Sequence, residues 1–218
     1  MPYLPLSAIA IRRGLATRVV GREIVCLKTV GSTNDWLKAA AAEGEAEGIA
    51  VFAEEQTAGR GQAGRAWVAP PGCCLLVSVL FRPAPSPERL VYLTMLGACA
   101  AAAAASEETG LAIRLKWPND LISPRGKLGG ALTEGSISDG RVEHAILGLG
   151  LNVNLTRRAL AAIPGADSLQ AILGRPLRRN ALARDVTSTG ALVLERPDGT
   201  TFEAVAGEVS VRPAPAPS

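Results

Sequence analysis

The chain has 218 residues, 48% of them hydrophobic and 20% charged, with a formal net charge of +3. That balance excludes a disordered chain, which is poor in apolar residues and strongly charged, and a charge this small does not demand a nucleic-acid partner. Four cysteines, Cys26, Cys73, Cys74 and Cys99, show no Cys-x-x-Cys spacing, which argues against a zinc site or a disulfide framework.

The apolar stretch Leu4 to Ile11 precedes Arg12-Arg13, the reverse of a secretory signal, so the reading is a cytoplasmic protein. Glu23 to Val30 reads as a strand. Ser32 then stands as a helix N-cap with Asp35 three residues later, predicting a helix from Thr33 to Glu43 that stops at Gly44. Ile49 to Glu55 is a second strand, and the apolar run Cys74 to Phe81 a third, buried on both faces. Ser86-Pro87-Glu88 opens a long Ala-rich helix closed by Gly110. Its apolar run, Leu90 to Ala105, falls short of the ~20 residues that a bilayer requires and reads as a core helix. Ala112 to Trp117 makes another strand. Residues 128 to 154 read as two strands joined at Ser138-Asp139-Gly140, followed by short helices near 156–163 and 167–173.

Past Gly174, the runs Ala191 to Glu195 and Thr201 to Val205 flank the turn Arg196 to Gly199, with a short strand from Glu208 to Arg212. The expected organisation is a main domain over 1–174, a small β appendage over 175–212 and a frayed tail over 213–218. Irregular alternation of helices and strands with a hairpin among them favours an α+β fold, a mixed sheet flanked by helices.

Gly59-Arg60-Gly61-Gln62-Ala63-Gly64 matches the dinucleotide pattern literally, but Pro70 and Pro71 block the helix that must begin at such a loop, and no acid follows at the right distance. The segment instead offers Arg60 and Arg65 on an open backbone with Trp67 nearby, which suits an anion attached to a flat ring. Lys116-Trp117-Pro118-Asn119-Asp120 puts a cation, an amide and a carboxylate at a strand end. Lys127-Leu128-Gly129-Gly130 adds an ammonium beside glycines that allow close approach. Gly148 to Asn154 repeats the theme with asparagines. The single histidine, His144, alternates with apolar residues as in a strand and reads as structural or solvent-facing.

Taken in order, Gly31-Ser32-Thr33-Asn34, Glu55 through Trp67, Lys116 to Asp120, Lys127 to Gly130 and Gly148 to Asn154 resemble the biotin protein ligases, over about residues 22 to 155. The resemblance implies a catalytic core like that of the class II aminoacyl-tRNA synthetases and lipoyl ligases, ending in a small SH3-like β domain that would here be incomplete. It implies an ATP-dependent ligase: biotin's carboxylate attacks the α-phosphate of ATP, and the biotinyl-adenylate then acylates a lysine of a biotin carboxyl carrier domain. Two anions must meet, so cations are required. Arg60, Lys116, Asp120 and Lys127 would be catalytic. Ser32, Thr33, Asn34, Gln56, Arg60, Gly61, Lys127 and Gly130 would bind biotin. Arg65, Trp67, Lys116, Asn119 and Asn152 would bind the nucleotide, with Mg²⁺ as cofactor and no assigned metal ligand. Asp120 would also orient the carrier lysine or help remove its proton.

Three departures from the family pattern stand out. Gln62 occupies a place where the family usually has a second arginine, which would hold the adenylate less firmly. Only about 30 residues precede the Ser-Thr-Asn segment, too few for a helix-turn-helix module of roughly 60, so no operator binding is expected. The segment from Gly174 to Thr189 is short for the family's C-terminal domain. The expected partners are the carrier domain, biotin and ATP, with no nucleic acid and no membrane, in a monomer or homodimer. Competing readings are a lipoate or octanoate transferase of the same fold and a catalytically impaired biotin-binding protein.

Overall fold

The computed structural model describes residues 5–13, 15, 17–82 and 87–180, together with the backbone of two strands at 192–195 and 201–204. Seven strands form one mixed sheet: β1 (Glu23–Leu27), β2 (Ile49–Ala53), β3 (Cys74–Phe81), β4 (Arg114–Lys116), β5 (Asp120–Ser123), β6 (Gly126–Ser138) and β7 (Arg141–Asn152), in the order β1-β2-β3-β7-β6-β5-β4. β1 and β2 are parallel and every other pair is antiparallel. The α+β architecture with a mixed, helix-flanked sheet is therefore present.

The sheet's two faces are divided by the period-two alternation of its strands. On one face Ala50, Phe52, Leu75, Val77, Val79, Leu147 and Leu151 pack with the long helix α3 (Leu90–Thr109). Its alanines allow the helix to lie close: Gly97 rests on Leu147, where a Cβ would come within 2.6 Å of Leu147 Cδ2, and Thr94 Oγ1 donates to Thr133 Oγ1 of β6 at 2.7 Å. At 20 residues this helix is longer than the apolar run suggested and would pass a membrane-span test on length and composition. Its packing against the sheet makes it a core helix. On the other face α2 (Thr33–Ala42) lays Leu37 and Ala41 on Ile49, Val51, Leu80 and Ile146. The candidate site lies beside α2 on this face.

Several elements differ from the sequence reading. Pro87 to Arg89 form a 3₁₀ turn before α3 begins at Leu90. The strand expected from Ala112 is shorter, and β5 is an addition: the chain reverses at Trp117–Asn119 so that Lys116 pairs with Asp120. Pro118 breaks the strand, as its ring requires, but a second short strand follows at once. The turn at Asp139 and Gly140 has φ of 51° and 73°, the left-handed pair that a two-residue hairpin needs. Before β1 a short helix α1 (Ala8–Arg12) is capped by Ser7, whose hydroxyl accepts from the Ala10 amide. After β7 come α4 (Arg157–Leu160) and α5 (Leu169–Leu173). β8 (Leu192–Glu195) and β9 (Thr201–Ala204) pair antiparallel. Ser86, the 196–199 turn, the 208–212 strand and the 213–218 tail lie outside the described residues.

Candidate active site

The floor of the site is made by what the strands lack. Gly130 of β6 stands opposite Gly150 of β7, and Gly148 is paired with Leu132 on one side and Ser78 on the other. With no side chains at Gly130, Gly148 and Gly150, the sheet surface is open to groups laid upon it. Two groups use the space. The Trp67 indole lies on Gly150, where a Cβ would come within 2.7 Å of its Cε2, and the Asn34 amide lies on Gly148.

A chain of polar contacts fixes the α2 end. Gln56 Oε1 accepts from the Thr33 amide at 2.7 Å and from the Thr33 hydroxyl at 3.0 Å. Ser78 Oγ donates to Asn34 Oδ1 at 2.6 Å and lies 2.7 Å from Thr33 Oγ1. Ser32 has the extended backbone of a cap, with φ of −152°, but its hydroxyl makes no capping bond. Gln56, 23 residues from Thr33, satisfies that helix end instead.

Two cavities open above this floor. The first, open to solvent, is bounded by Ser32, Thr33 and Asn34, by Gln56 and Arg60, and by the glycine floor and Glu134. The second, also open to solvent, lies between Arg65–Val68 and Ile163–Ala166 and is lined as well by Asn152. Gly61, Gln62, Trp67 and Lys127 line both. Trp67 therefore forms part of the partition, with Lys127 Nζ 5.8 Å from its ring centroid, and its buried Nε1 has no hydrogen-bond partner.

Each cation of the first cavity is already paired. Arg60 grips Asp35 with two hydrogen bonds of 2.6 Å and reaches Glu134 at 3.5 Å. Glu134 also accepts from Lys38 at 2.7 Å and from Asn34 Nδ2 at 2.5 Å. Lys127 Nζ lies 2.6 Å from Asp120 Oδ1. The hydrogen bond from Arg60 holds the Asp35 carboxyl below its ordinary range. Burial pushes Glu134 up, but the bonds from Lys38 and Asn34 and the charges of Lys38 and Arg60 outweigh it and bring the net shift down. Both carboxylates are thus ionised at neutral pH. An incoming anion must compete with them for Arg60.

Residues 27–152 match the Biotin/lipoate A/B protein ligase family. The chain belongs to this family. Among its relatives, the bifunctional ligase/repressor BirA of Bacillus subtilis is 36% identical over 149 residues, 68% of this chain and 46% of the relative. The biotin--[acetyl-CoA-carboxylase] ligase of Mycobacterium tuberculosis is 34% identical over 171 residues, 72% of this chain and 60% of the relative. The chain spans about half the length of the curated relatives it matches. The apo biotin protein ligase of Aquifex aeolicus superposes with a TM-score of 0.59 at 28% identity, over 75% of this chain and 64% of that one. The same enzyme in complex with biotin and ATP, at 24% identity and a TM-score of 0.60, shares the fold over 88% of this chain.

Within this ligase-family fold, the residues singled out from the sequence fall into three groups. Ser32, Thr33, Asn34, Gln56, Arg60, Gly61, Lys127 and Gly130 all line the first cavity. Arg65, Trp67 and Asn152 line the second. Asn119 lines the first cavity, with its Nδ2 donating to the Ala131 carbonyl at 2.9 Å, and Asn152 donates to the Asp167 carbonyl at 3.0 Å. Lys116 is exposed on the sheet-edge strand β4 and lines neither cavity, and Asp120 reaches the site through Lys127. His144 stands on β7 opposite Ser136, away from both cavities, and burial with the charge of Arg82 pushes it below its usual pKa. Sequence reasoning missed Asp35 as a partner of Arg60, having spent it on a helix cap, and missed Glu134, Lys38 and the wall at Ile163–Ala166. Glu134 left one trace: a carboxylate two and four residues past Leu132 and Gly130, in step with the cavity floor.

Proposed function

We propose that the chain is an ATP-dependent biotin protein ligase, which forms biotinyl-5′-AMP with release of pyrophosphate and passes biotin to a lysine of a biotin carboxyl carrier domain. The observation that carries this reading is the position of Lys127, which lines two adjoining cavities at their common boundary. Such a pair of cavities suits two substrates that react with each other rather than with the protein. The first has the neutral polar donors and acceptors of Thr33, Asn34 and Gln56 for a ureido head. The second offers Trp67 and the backbone of Ile163–Ala166 to a nucleotide.

The chemistry asks little else of the protein. A carboxylate oxygen of biotin attacks the α-phosphorus, the bond from that phosphorus to the oxygen shared with the β-phosphorus breaks, and pyrophosphate leaves with both electrons of that bond. Bringing a carboxylate to a triphosphate in a site with reduced dielectric is costly without a fixed cation, and the Lys127 ammonium stands at the boundary where charge builds. Asp120 holds that ammonium in place and yields part of it to the substrate carboxylate. In the second half-reaction the neutral amine of the carrier lysine attacks the acyl carbon and AMP leaves with both electrons of the cleaved C–O bond. The ammonium proton must go first, and we assign Asp120, released in part from Lys127 as that ammonium turns to the substrate, to accept it.

Magnesium has no cage here: among the described residues no group of three His, Cys, Asp or Glu could hold a metal, and Asp120 is committed to Lys127. An ion of this kind is at home on substrate phosphates with water as its remaining ligands.

Biotin-dependent exchange of labelled pyrophosphate into ATP tests the reading. Wild-type protein should exchange with biotin and not with lipoate, and Lys127→Ala should lose exchange by on the order of a hundredfold or more. Lipoate-dependent exchange would transfer the reading to a lipoyl enzyme. Biotin binding without any exchange would leave a binding protein in its place.

A further inference from the structure

Asp167 is almost fully buried, 3% exposed, and none of the chemistry above uses it. Its carboxylate gathers the turn between β5 and β6. Ser123 Oγ donates to Oδ2 at 2.5 Å, and Arg125 reaches both oxygens at 3.3 Å through Nε and Nη2. Oδ1 also accepts from the Ser168 amide at 2.9 Å. A carboxylate taken out of water needs donors such as these for its oxygens.

The backbone beside this carboxylate is bonded to Lys127 from both sides. The Lys127 amide donates to the Gly165 carbonyl and the Asp167 amide donates to the Lys127 carbonyl, each at 2.8 Å. The approach is close enough that a Cβ on Gly126 would meet the Gly165 oxygen at 2.6 Å. Ile163 to Ala166, the far wall of the second cavity, form a turn closed by the Ala166 amide on the Ile163 carbonyl at 3.1 Å, and the bridge from Ala166 to Lys127 makes this turn a rail against the residue at the boundary of the two cavities.

We infer that Asp167, through Ser123 and Arg125, is a positioning residue that clamps the nucleotide-side wall to the Lys127 backbone and so sets where the Lys127 ammonium stands. The inference rests on the proposed ligase reading for its catalytic consequence. Its structural content, the clamp itself, does not. Asp167 touches neither cavity, so its effect on substrates passes through the rail and Lys127. Removing its charge should loosen the nucleotide side and leave the Thr33–Asn34–Gln56 side as it was, because those three side chains bond to one another, to Ser78 and to Glu134 rather than to the segment from Ile163 to Asp167.

Asp167→Asn keeps the shape while removing the charge and turning one of the two acceptor oxygens into an amide donor. In pyrophosphate exchange it should raise KM for ATP and lower kcat, each by on the order of tenfold, while biotin affinity measured by equilibrium dialysis falls by less, because Lys127 is shared between the two cavities and Thr33, Asn34 and Gln56 are not. Amide hydrogen exchange at Lys127 and Asp167 should quicken in the same variant. Arg125→Gln should move all four readouts in the same direction by smaller amounts. Unchanged amide protection with unchanged kinetic constants overturns the inference. So does a parallel loss of biotin binding and ATP binding, the mark of general unfolding. A wild-type protein that exchanges no pyrophosphate defeats the ligase reading alone, and protection of the Lys127 amide still decides the clamp.

Discussion

At the scale of single residues, the site is less positive than its list of cations suggests, because Arg60 and Lys127 each face a carboxylate within 2.6 Å. Such pairing keeps long side chains in defined rotamers before substrates arrive, which reduces what must be ordered on binding. Gln62 matters in this setting. It borders both cavities beside Trp67 and Lys127, and it brings an amide where a guanidinium would put a fixed positive charge on the boundary. A mixed anhydride formed there would be held by Lys127 and Arg65 without that third cation. Gln62→Arg should therefore slow the release of free biotinyl-adenylate from protein loaded with biotin and ATP, by on the order of tenfold for one added charge-assisted bond. Equal release rates, followed by quench and chromatography of the adenylate, would remove Gln62 from this role.

At the scale of elements, the sequence is most readable where one local pattern decides the outcome. β3 is a continuous apolar run and is buried along nearly its whole length, α2 ends where Gly44 takes φ of +90°, and the β6–β7 hairpin turns at its Asp-Gly pair. β5 was hidden because it is four residues between Pro118 and Pro124, too short for a period to show. The ion pairs that organise the site were hidden for a different reason: Arg60 meets Asp35 and Glu134 at separations of 25 and 74 residues, and nothing local encodes such a meeting. The Gly59–Trp67 loop is a mixed case. Its glycines and arginines announced a binding loop, while its form, a small hairpin closed by the Gly61 amide on Arg65 and the Trp67 amide on Gly59, did not follow from them. Ala63 to Ala66 are exposed at its tip, and Ala63 sits at φ of +55°. If the loop closes over its substrates, biotin with ATP should slow tryptic cleavage at Arg65 several-fold. Cleavage at an unchanged rate with both ligands saturating would count against closure.

At the scale of the whole molecule, the two cavities depend on β2 and β3 delivering Gln56 and the Ser78 row in register, and that register is secured by residues 5–7 and 179–180. Arg179 Nη1 lies 2.6 Å from Glu54 Oε2 with the two side chains 3% and 10% exposed, and it also donates to the Cys74 carbonyl at 3.3 Å. The other oxygen of Glu54 accepts from the Leu6 amide at 2.5 Å. Asn180 completes the join, donating to the Pro5 carbonyl at 3.1 Å and accepting from the Ser7 amide at 2.9 Å. Glu54 is two residues before Gln56 and Cys74 begins β3, so the buried ion pair sits at the root of the loop that carries the site. Deleting one partner of such a buried pair costs about 3–5 kcal/mol. Arg179→Ala should lower the urea midpoint accordingly, while Arg158→Ala, exposed on α4, should change stability by less than about 0.5 kcal/mol. Because Arg179 lines neither cavity, the loss should appear as a smaller folded fraction, with turnover per folded molecule nearly retained at low temperature. Matching midpoints for the two variants would show that Arg179 does not secure β2 and β3.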